Sequence, residues 1–439
     1  MKAQLTDLSR RGFLKQSAAL AGAAAAPSAL AAAPGANDRI GILVVGCGGI
    51  ARAHAEWMPK SLQIRALCDV DSHRLRSFQA EFALHALVSS DYRELLPRPD
   101  IDAVLVCTPD HWHAKVAVDA MRAGKSVYCE KPLTLTIAEG DQLRDSVQAT
   151  GSVVQVGTQQ RSDPNFQTAV ALVREGRIGA IRRVTCAIGS GPVGGPFGAA
   201  RVPDGLDWER WLGQAPEVEY RPERCHGNFR WWYEYAGGKL TDWGAHHVDI
   251  GLWALGEEAL NGTVQVEPLS VVHTPPLVDG MPANDDCFNT ASEFHIRCRL
   301  PSGAELDIRD NAPDLGFDNG VMFEGERGRV FVNRGKVTGA AVEELERDPL
   351  PEEATAALRH GRPVQPHLEA FYQACHDGKP PVSDVASHVR HLNICHAANV
   401  AIRLHKPVEF DALTSRFVDR SIDTRWRSRD PRPGYAIDA

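Results

Sequence analysis

Between residues 40 and 157 the chain alternates short apolar runs with helical apolar spacing. "RIGILVVGCGGIARAHAEWM" opens with a run at Ile40 to Val45 and passes through glycines into a helix pattern. "LQIRALCDVD" reads as a second strand, ending at Asp69. "IDAVLVCTPDHWHAKVAVDAMRAGKSVYCEKPL" gives a strand (Ala103 to Cys107), a helix (His111 to Ala123) and a strand (Ser126 to Cys129). A helix follows near Thr136, and "GSVVQVG" supplies a further strand. Buried strands in alternation with helices predict an α/β doubly wound parallel sheet over residues 38–157. Beyond it, "IRRVTCAIG" and "NTASEFHIRCRLPSGAELDIRD" read as strands and "RHLNICHAANVAIRLH" as a helix, so 158–439 is expected to form a second α/β domain.

The apolar pattern at the N-terminus differs. "SRRGFLKQ" carries twin arginines before an Ala-rich stretch from Ser17 to Ala33, and "SALA" offers a cleavage site after Ala31. Residues 1–33 therefore read as a twin-arginine signal and the mature protein as exported, to the periplasm or its equivalent. The stretch is too short and weakly apolar for a membrane span. The whole chain carries a formal charge of −8. Loss of Lys2, Arg10, Arg11 and Lys15 against Asp7 would make it more acidic still. That argues against nucleic acid or an anionic membrane as partner. The ten cysteines lack C-x-x-C spacing; most, including Cys68, Cys107 and Cys129, read as small buried residues.

Gly46, Gly48, Gly49, Ile50 and Ala51 form a G-x-G-x-x-A fingerprint between strand and helix. Glycine permits the turn and lets backbone approach a pyrophosphate, while the helix N-terminus attracts its charge. Asp69 is placed to accept from both ribose hydroxyls, which favours NAD over NADP despite Arg74 nearby. Ligands of such sheets lie outside the carboxyl ends of strands. That rule brings Thr108, Pro109, His111, His113, Glu130 and Lys131 to the cofactor, with Gln159 after the last strand.

At "CEKP" (Cys129 to Pro132), together with "GCGGIA", "CDVD" and "TPDHWHA", the sequence resembles the glucose–fructose oxidoreductase / inositol dehydrogenase / MocA family of nicotinamide enzymes. "RWWYEYAGGKLTDWGAHHVD" resembles its exported bacterial branch acting on sugars and glycosides. The resemblance implies an N-terminal Rossmann domain. It also implies a C-terminal domain on a large, mostly antiparallel open sheet that serves as an oligomer interface.

The stretch "GGKLTDWGAHHVDIGLW" (237–253) holds two carboxylates and two adjacent histidines. As one helix it would place Asp242, His246 and Asp249 on one side and rotate His247 away. A metal site is one reading, but adjacent histidines face different ways and H-E-x-x-H spacing is absent. Proton transfer is preferred, with Asp242 orienting the His246 ring. In the family a D-x-x-x-H pair is completed by the lysine of Glu-Lys-Pro, and Asp242, His246 and Lys131 match that pattern. Arg161, Trp231, Tyr233 and His247 are expected to face substrate. The expected function is NAD-dependent oxidation of a secondary hydroxyl of a sugar or glycoside, with NAD tightly bound. The alternative is a glycoside hydrolase working by transient oxidation, elimination and water addition, with His247 or a tyrosine as the extra base.

Overall fold

A computed structural model describes residues 39–437; the predicted signal segment and the cleavage site lie outside the described residues. Six strands form the first sheet: β1 (Ile40–Val45), β2 (Leu62–Cys68), β3 (Leu87–Ser89), β4 (Ala103–Val106), β5 (Ser126–Cys129) and β6 (Val154–Val156). All pairs are parallel, in the order β3-β2-β1-β4-β5-β6. Every residue of β1 and β4 is buried, as expected of strands covered by helices on both faces. The order reverses between β1 and β4, and the crevice there is where a doubly wound sheet takes its ligand.

Helix starts follow local chemistry. Asp71 accepts from the backbone N–H of His73 and Arg74 ahead of the helix Ser72–Phe82. Thr136 and Glu139 form a reciprocal capping box on the helix Ile137–Thr150. Gly46 holds φ +91°, and a Cβ there would meet the Cys107 carbonyl at 2.6 Å, so only glycine fits this turn.

The second sheet has nine strands and is mixed but mostly antiparallel. Its strands are β7 (Ile181–Ile188), β8 (Thr263–Val272), β11 (Glu293–Arg299), β12 (Glu305–Arg309), β13 (Asn319–Gly325), β14 (Gly328–Asn333), β15 (Lys336–Thr338), β16 (Val408–Asp411) and β17 (Arg416–Phe417). Only β7 and β12 pair in parallel. The short strands β9 (Leu277–Val278) and β10 (Met281–Pro282) form a separate ribbon. The chain also returns to the first sheet: Leu368 and Phe371, on the helix His367–Asp377, pack with Phe78 and Tyr128. Among the described residues, 40–437 form one compact unit.

Candidate active site

A cavity of about 300 Å³ opens at the β1/β4 crevice. Gly46, Gly48, Gly49, Ile50, Asp69, Thr108 and Pro109 line it, bringing together the glycine turn, the β2 end and the β4 end. A Cβ on Gly49 would meet nothing within 4 Å, and one on Gly48 only the tip of Arg74 at 3.9 Å. The turn is therefore open above the helix Gly49–Glu56, the geometry a pyrophosphate needs. Asp69 accepts from the N–H of Cys47 at 2.7 Å and of Asp71 at 2.8 Å. Burial raises its pKa against these bonds. It thus fixes the turn while still facing the cavity, and Asp71 and Arg74 join it there.

The remaining nucleotide-side expectations need correction. Glu130 is buried and pairs with His54 at 2.7 Å, while Gln159 Nε2 donates to it at 3.0 Å. Both side chains are engaged with each other beneath the strand ends, outside the cavity lining. His113 bridges Pro132 O (2.7 Å) and Thr108 O (2.8 Å), and His111 bonds Trp211 O (2.9 Å). Both rings are fully buried. His113 ties together the loops after β4 and β5, and His111 ties the helix Asp110–Arg122 to Trp211.

The 237–253 stretch is not one helix. It breaks at Trp243 into Gly238–Asp242 and Gly244–Leu255. Asp242 therefore does not orient His246. Its Oδ1 accepts from Lys131 Nζ at 2.6 Å and from Arg230 Nε at 3.4 Å, and its backbone carbonyl accepts from the same lysine at 3.0 Å. Burial pushes the Asp242 carboxyl up, but Lys131 and Arg230 outweigh it and hold it at about 2. The His246 ring is buried, and its Nδ1 has no hydrogen-bond partner. Burial and the Lys131 and Arg334 cations push its pKa well below the usual histidine range, so the imidazole is neutral. Lys131, Asp242 and His246 are brought together, with the lysine as the link.

Four expected substrate contacts lie elsewhere. Arg161 is 1% exposed, and its guanidinium is taken up by Asp249 at 2.6 and 2.7 Å. His388 and His391 close on the same carboxylate at 3.3 and 2.9 Å. His247 is fully buried between Gln160 (3.2 Å) and Asn319 (3.0 Å), stacked on Phe166. The Arg161 guanidinium and both ring nitrogens of His247 thus have partners inside the protein, as burial demands. Tyr233 lines a second cavity of about 630 Å³, its hydroxyl 3.1 Å from His273 and its ring under Arg403. Trp231 is half-buried at the margin of the cluster formed by Trp211, Trp232 and Tyr235.

Sequence reasoning missed Arg230, which both lines the nucleotide cavity and reaches Asp242. A lone cation in the aromatic run "NFRWWYEY" was the available signal. It also missed Asp110, buried beside the same group with Oδ2 unpartnered. Burial raises that carboxyl to about 8, opposed by Arg230.

Comparison with known proteins agrees with this arrangement. The family model described as Gfo/Idh/MocA oxidoreductase family, NAD-binding Rossmann fold, matches residues 40–158. The model of the same family's C-terminal alpha/beta domain matches residues 196–278. Two models of the Gfo/Idh/MocA oxidoreductase family thus match the chain, one over its nucleotide-binding part and one over its C-terminal part. Myo-inositol 2-dehydrogenase of Thermotoga maritima is 26% identical over 309 residues, covering 68% of this chain and 76% of its own. The oxidoreductase YrbE of Bacillus subtilis is 33% identical over 138 residues; the match spans 31% of this chain and only 40% of that relative. Among solved structures, aldose-aldose oxidoreductase from Caulobacter crescentus superposes with TM-score 0.58 at 18% identity, over 85% of this chain and all of that one. The WlbA dehydrogenase of Bordetella pertussis, in complex with NADH and UDP-GlcNAcA, gives TM-score 0.60 at 18% identity, over 84% and 98%. At these identities the structures show a shared fold.

Proposed function

We propose that this chain oxidises a secondary hydroxyl of a sugar, glycoside or related polyol, or reduces the matching ketone, with NAD as cofactor. The observation that carries this reading is the junction at Arg230. One side chain belongs both to the nucleotide cavity and to the Lys131–Asp242 pair beside a neutral His246. NAD, when bound, supplies the hydride acceptor. Gly48, Gly49 and the helix they open would hold its pyrophosphate, and Asp69 with Asp71 its adenosine ribose. Two carboxylates there disfavour a 2′-phosphate, so NAD is preferred over NADP.

In the oxidising direction neutral His246 accepts the hydroxyl proton through its imidazole. Lys131, held at a fixed point by the Asp242 carboxylate and carbonyl, stabilises the developing alkoxide. Asp242 thus orients the lysine. Elimination of a glycoside would require a further base; of the candidates, His247 is committed to Gln160 and Asn319, and Tyr233 lines the second cavity with its hydroxyl on His273. Direct dehydrogenation is therefore the reading adopted.

The twin-arginine reading adds an expectation about the cofactor. An exported enzyme acts where free NAD is scarce, so we propose export with NAD held as a non-dissociating group whose reduced form is reoxidised by a second sugar or a later step of the same cycle. The mixed sheet is proposed to join copies into a homo-oligomer. The experiment is to purify the full-length product without added cofactor, denature it after desalting and assay released NAD. The same preparation is incubated with sugars and glycosides and assayed for keto-sugar and free aglycone. Near-stoichiometric NAD and keto-sugar are expected. An empty protein that needs millimolar NAD refutes retention, and aglycone without keto-sugar refutes dehydrogenation.

A further inference from the structure

Four cations gather where substrate would meet Lys131. Lys131 and Arg230 share the single oxygen Asp242 Oδ1. Lys239, from the helix Gly238–Asp242, stands 5.6 Å from the Trp243 ring centroid. Arg334, from the turn between β14 and β15, stands 4.7 Å from that centroid, and Trp243 in turn borders His246. The fold is shaped for Lys239. Gly189, at the end of β7, adopts φ +83°, and a Cβ there would come within 2.9 Å of the Lys239 Cε.

The acids facing Lys131, Arg230 and Lys239 do not balance those three cations. Asp242 is taken by Lys131 and Arg230. Asp110 faces Arg230, Asp242 and Lys131, but burial keeps it protonated near neutrality. Asp163 faces Arg334. Asp242 is the one acid acting on Lys239, against two cations, Lys131 and Arg230. Among the described residues Lys239 forms no ion pair, although burial and those neighbours weaken its hold on its proton. A half-buried ammonium among like charges is costly unless an anion arrives to offset it.

We propose that the substrate is an anionic sugar, bearing a carboxylate or phosphate that Lys239 and Arg230 receive while Lys131 and His246 take its reacting hydroxyl. The proposal rests on the dehydrogenase reading above and narrows its substrate class. Such pairing is strengthened by the low dielectric of a partly closed site and weakened by salt. Neutral sugars offer no group that relieves the repulsion.

The test uses the purified holoenzyme with glucose, glucuronate and glucose 6-phosphate, read as reduced cofactor. At least one charged sugar is expected to reduce the bound cofactor about thirtyfold or more faster than glucose in a single turnover at equal, subsaturating concentration, and which one tells carboxylate from phosphate. Its KM should rise steeply with sodium chloride. Lys239→Gln should narrow the charged-to-neutral ratio by about tenfold or more, and Lys239→Arg should restore most of it. Glucose equal to or better than both charged sugars overturns the proposal, as does a ratio that Lys239→Gln leaves untouched. If Lys239→Gln does not fold, the wild-type panel and its salt dependence decide alone. If no sugar reduces the cofactor, calorimetric titration of the holoenzyme separates the two ideas. A charged sugar that binds where glucose does not keeps the anion site and removes the dehydrogenase reading; no binding of either charged sugar removes the anion site.

Discussion

Lys131 and Asp242 form a two-point contact: one ammonium donates to the carboxylate at 2.6 Å and to the backbone carbonyl of the same residue at 3.0 Å. The lysine, 111 positions away in sequence, is therefore anchored both to a side chain and to the end of a helix. Lys131→Met should abolish most turnover, by about a hundredfold or more, while the melting temperature stays near wild type. Asp242→Asn should cost less in rate, because the carbonyl still holds Lys131. Steady-state kinetics with circular dichroism on both variants checks the order. Equal losses would place the carboxylate itself in proton transfer.

His246 gives a pH prediction. Burial and neighbouring cations lower its pKa well below the usual histidine range, so the base stays unprotonated through neutrality. In the free enzyme kcat/KM for oxidation should hold from pH 8 down past about 6.5, the ordinary imidazole value, and fall only in more acid solution. An acid limb at or above that value, absent in His246→Gln, would contradict the assignment.

Asp69 holds the glycine turn through Cys47 N–H and also faces the cavity. Asp69→Ser should therefore weaken NAD by at least about tenfold and raise relative use of NADP, since Arg74 remains. Titration of both nucleotides by fluorescence reads the two effects. A variant with unchanged NAD affinity would leave the turn independent of Asp69.

The Arg161–Asp249 pair is buried with both partners 1% exposed. Removing one partner strands the other charge, so Arg161→Met should cost about 3–5 kcal/mol, read by denaturant unfolding. Substrate KM should move little in whatever variant protein folds.

Stability should fall on mild acidification. Burial, the largest cause in each case, lowers His111 to about 3 and His247, His367 and His396 to about 4. The unfolded chain takes up those protons below about 6.5 while the folded chain does not, so stability declines as pH drops through that value. Melting temperature should drop by roughly 10 °C between pH 7 and 5. A flat profile across this window would mean that these rings protonate in place.

Local patterns carried most of the architecture. Fully apolar runs at Ile40 to Val45 and Ala103 to Val106, glycines between strand and helix, and an acid at the next strand end all act over a few residues. Their physics is readable in order along the chain. The same holds for the helix start at Thr136 and for β7, β11 and β12 of the second sheet. Contacts between distant segments decided the rest. Asp242 and His246 have helical spacing, but the chain breaks at Trp243, and a lysine from the other sheet takes the carboxylate. Arg161, His247, His111 and Glu130 are polar residues near strand or helix ends, which in sequence look like ligands. Each is buried against a partner 29 to 100 positions away. Residue type records what a side chain can bind; only packing determines whether that capacity is spent inside the protein or left facing the cleft.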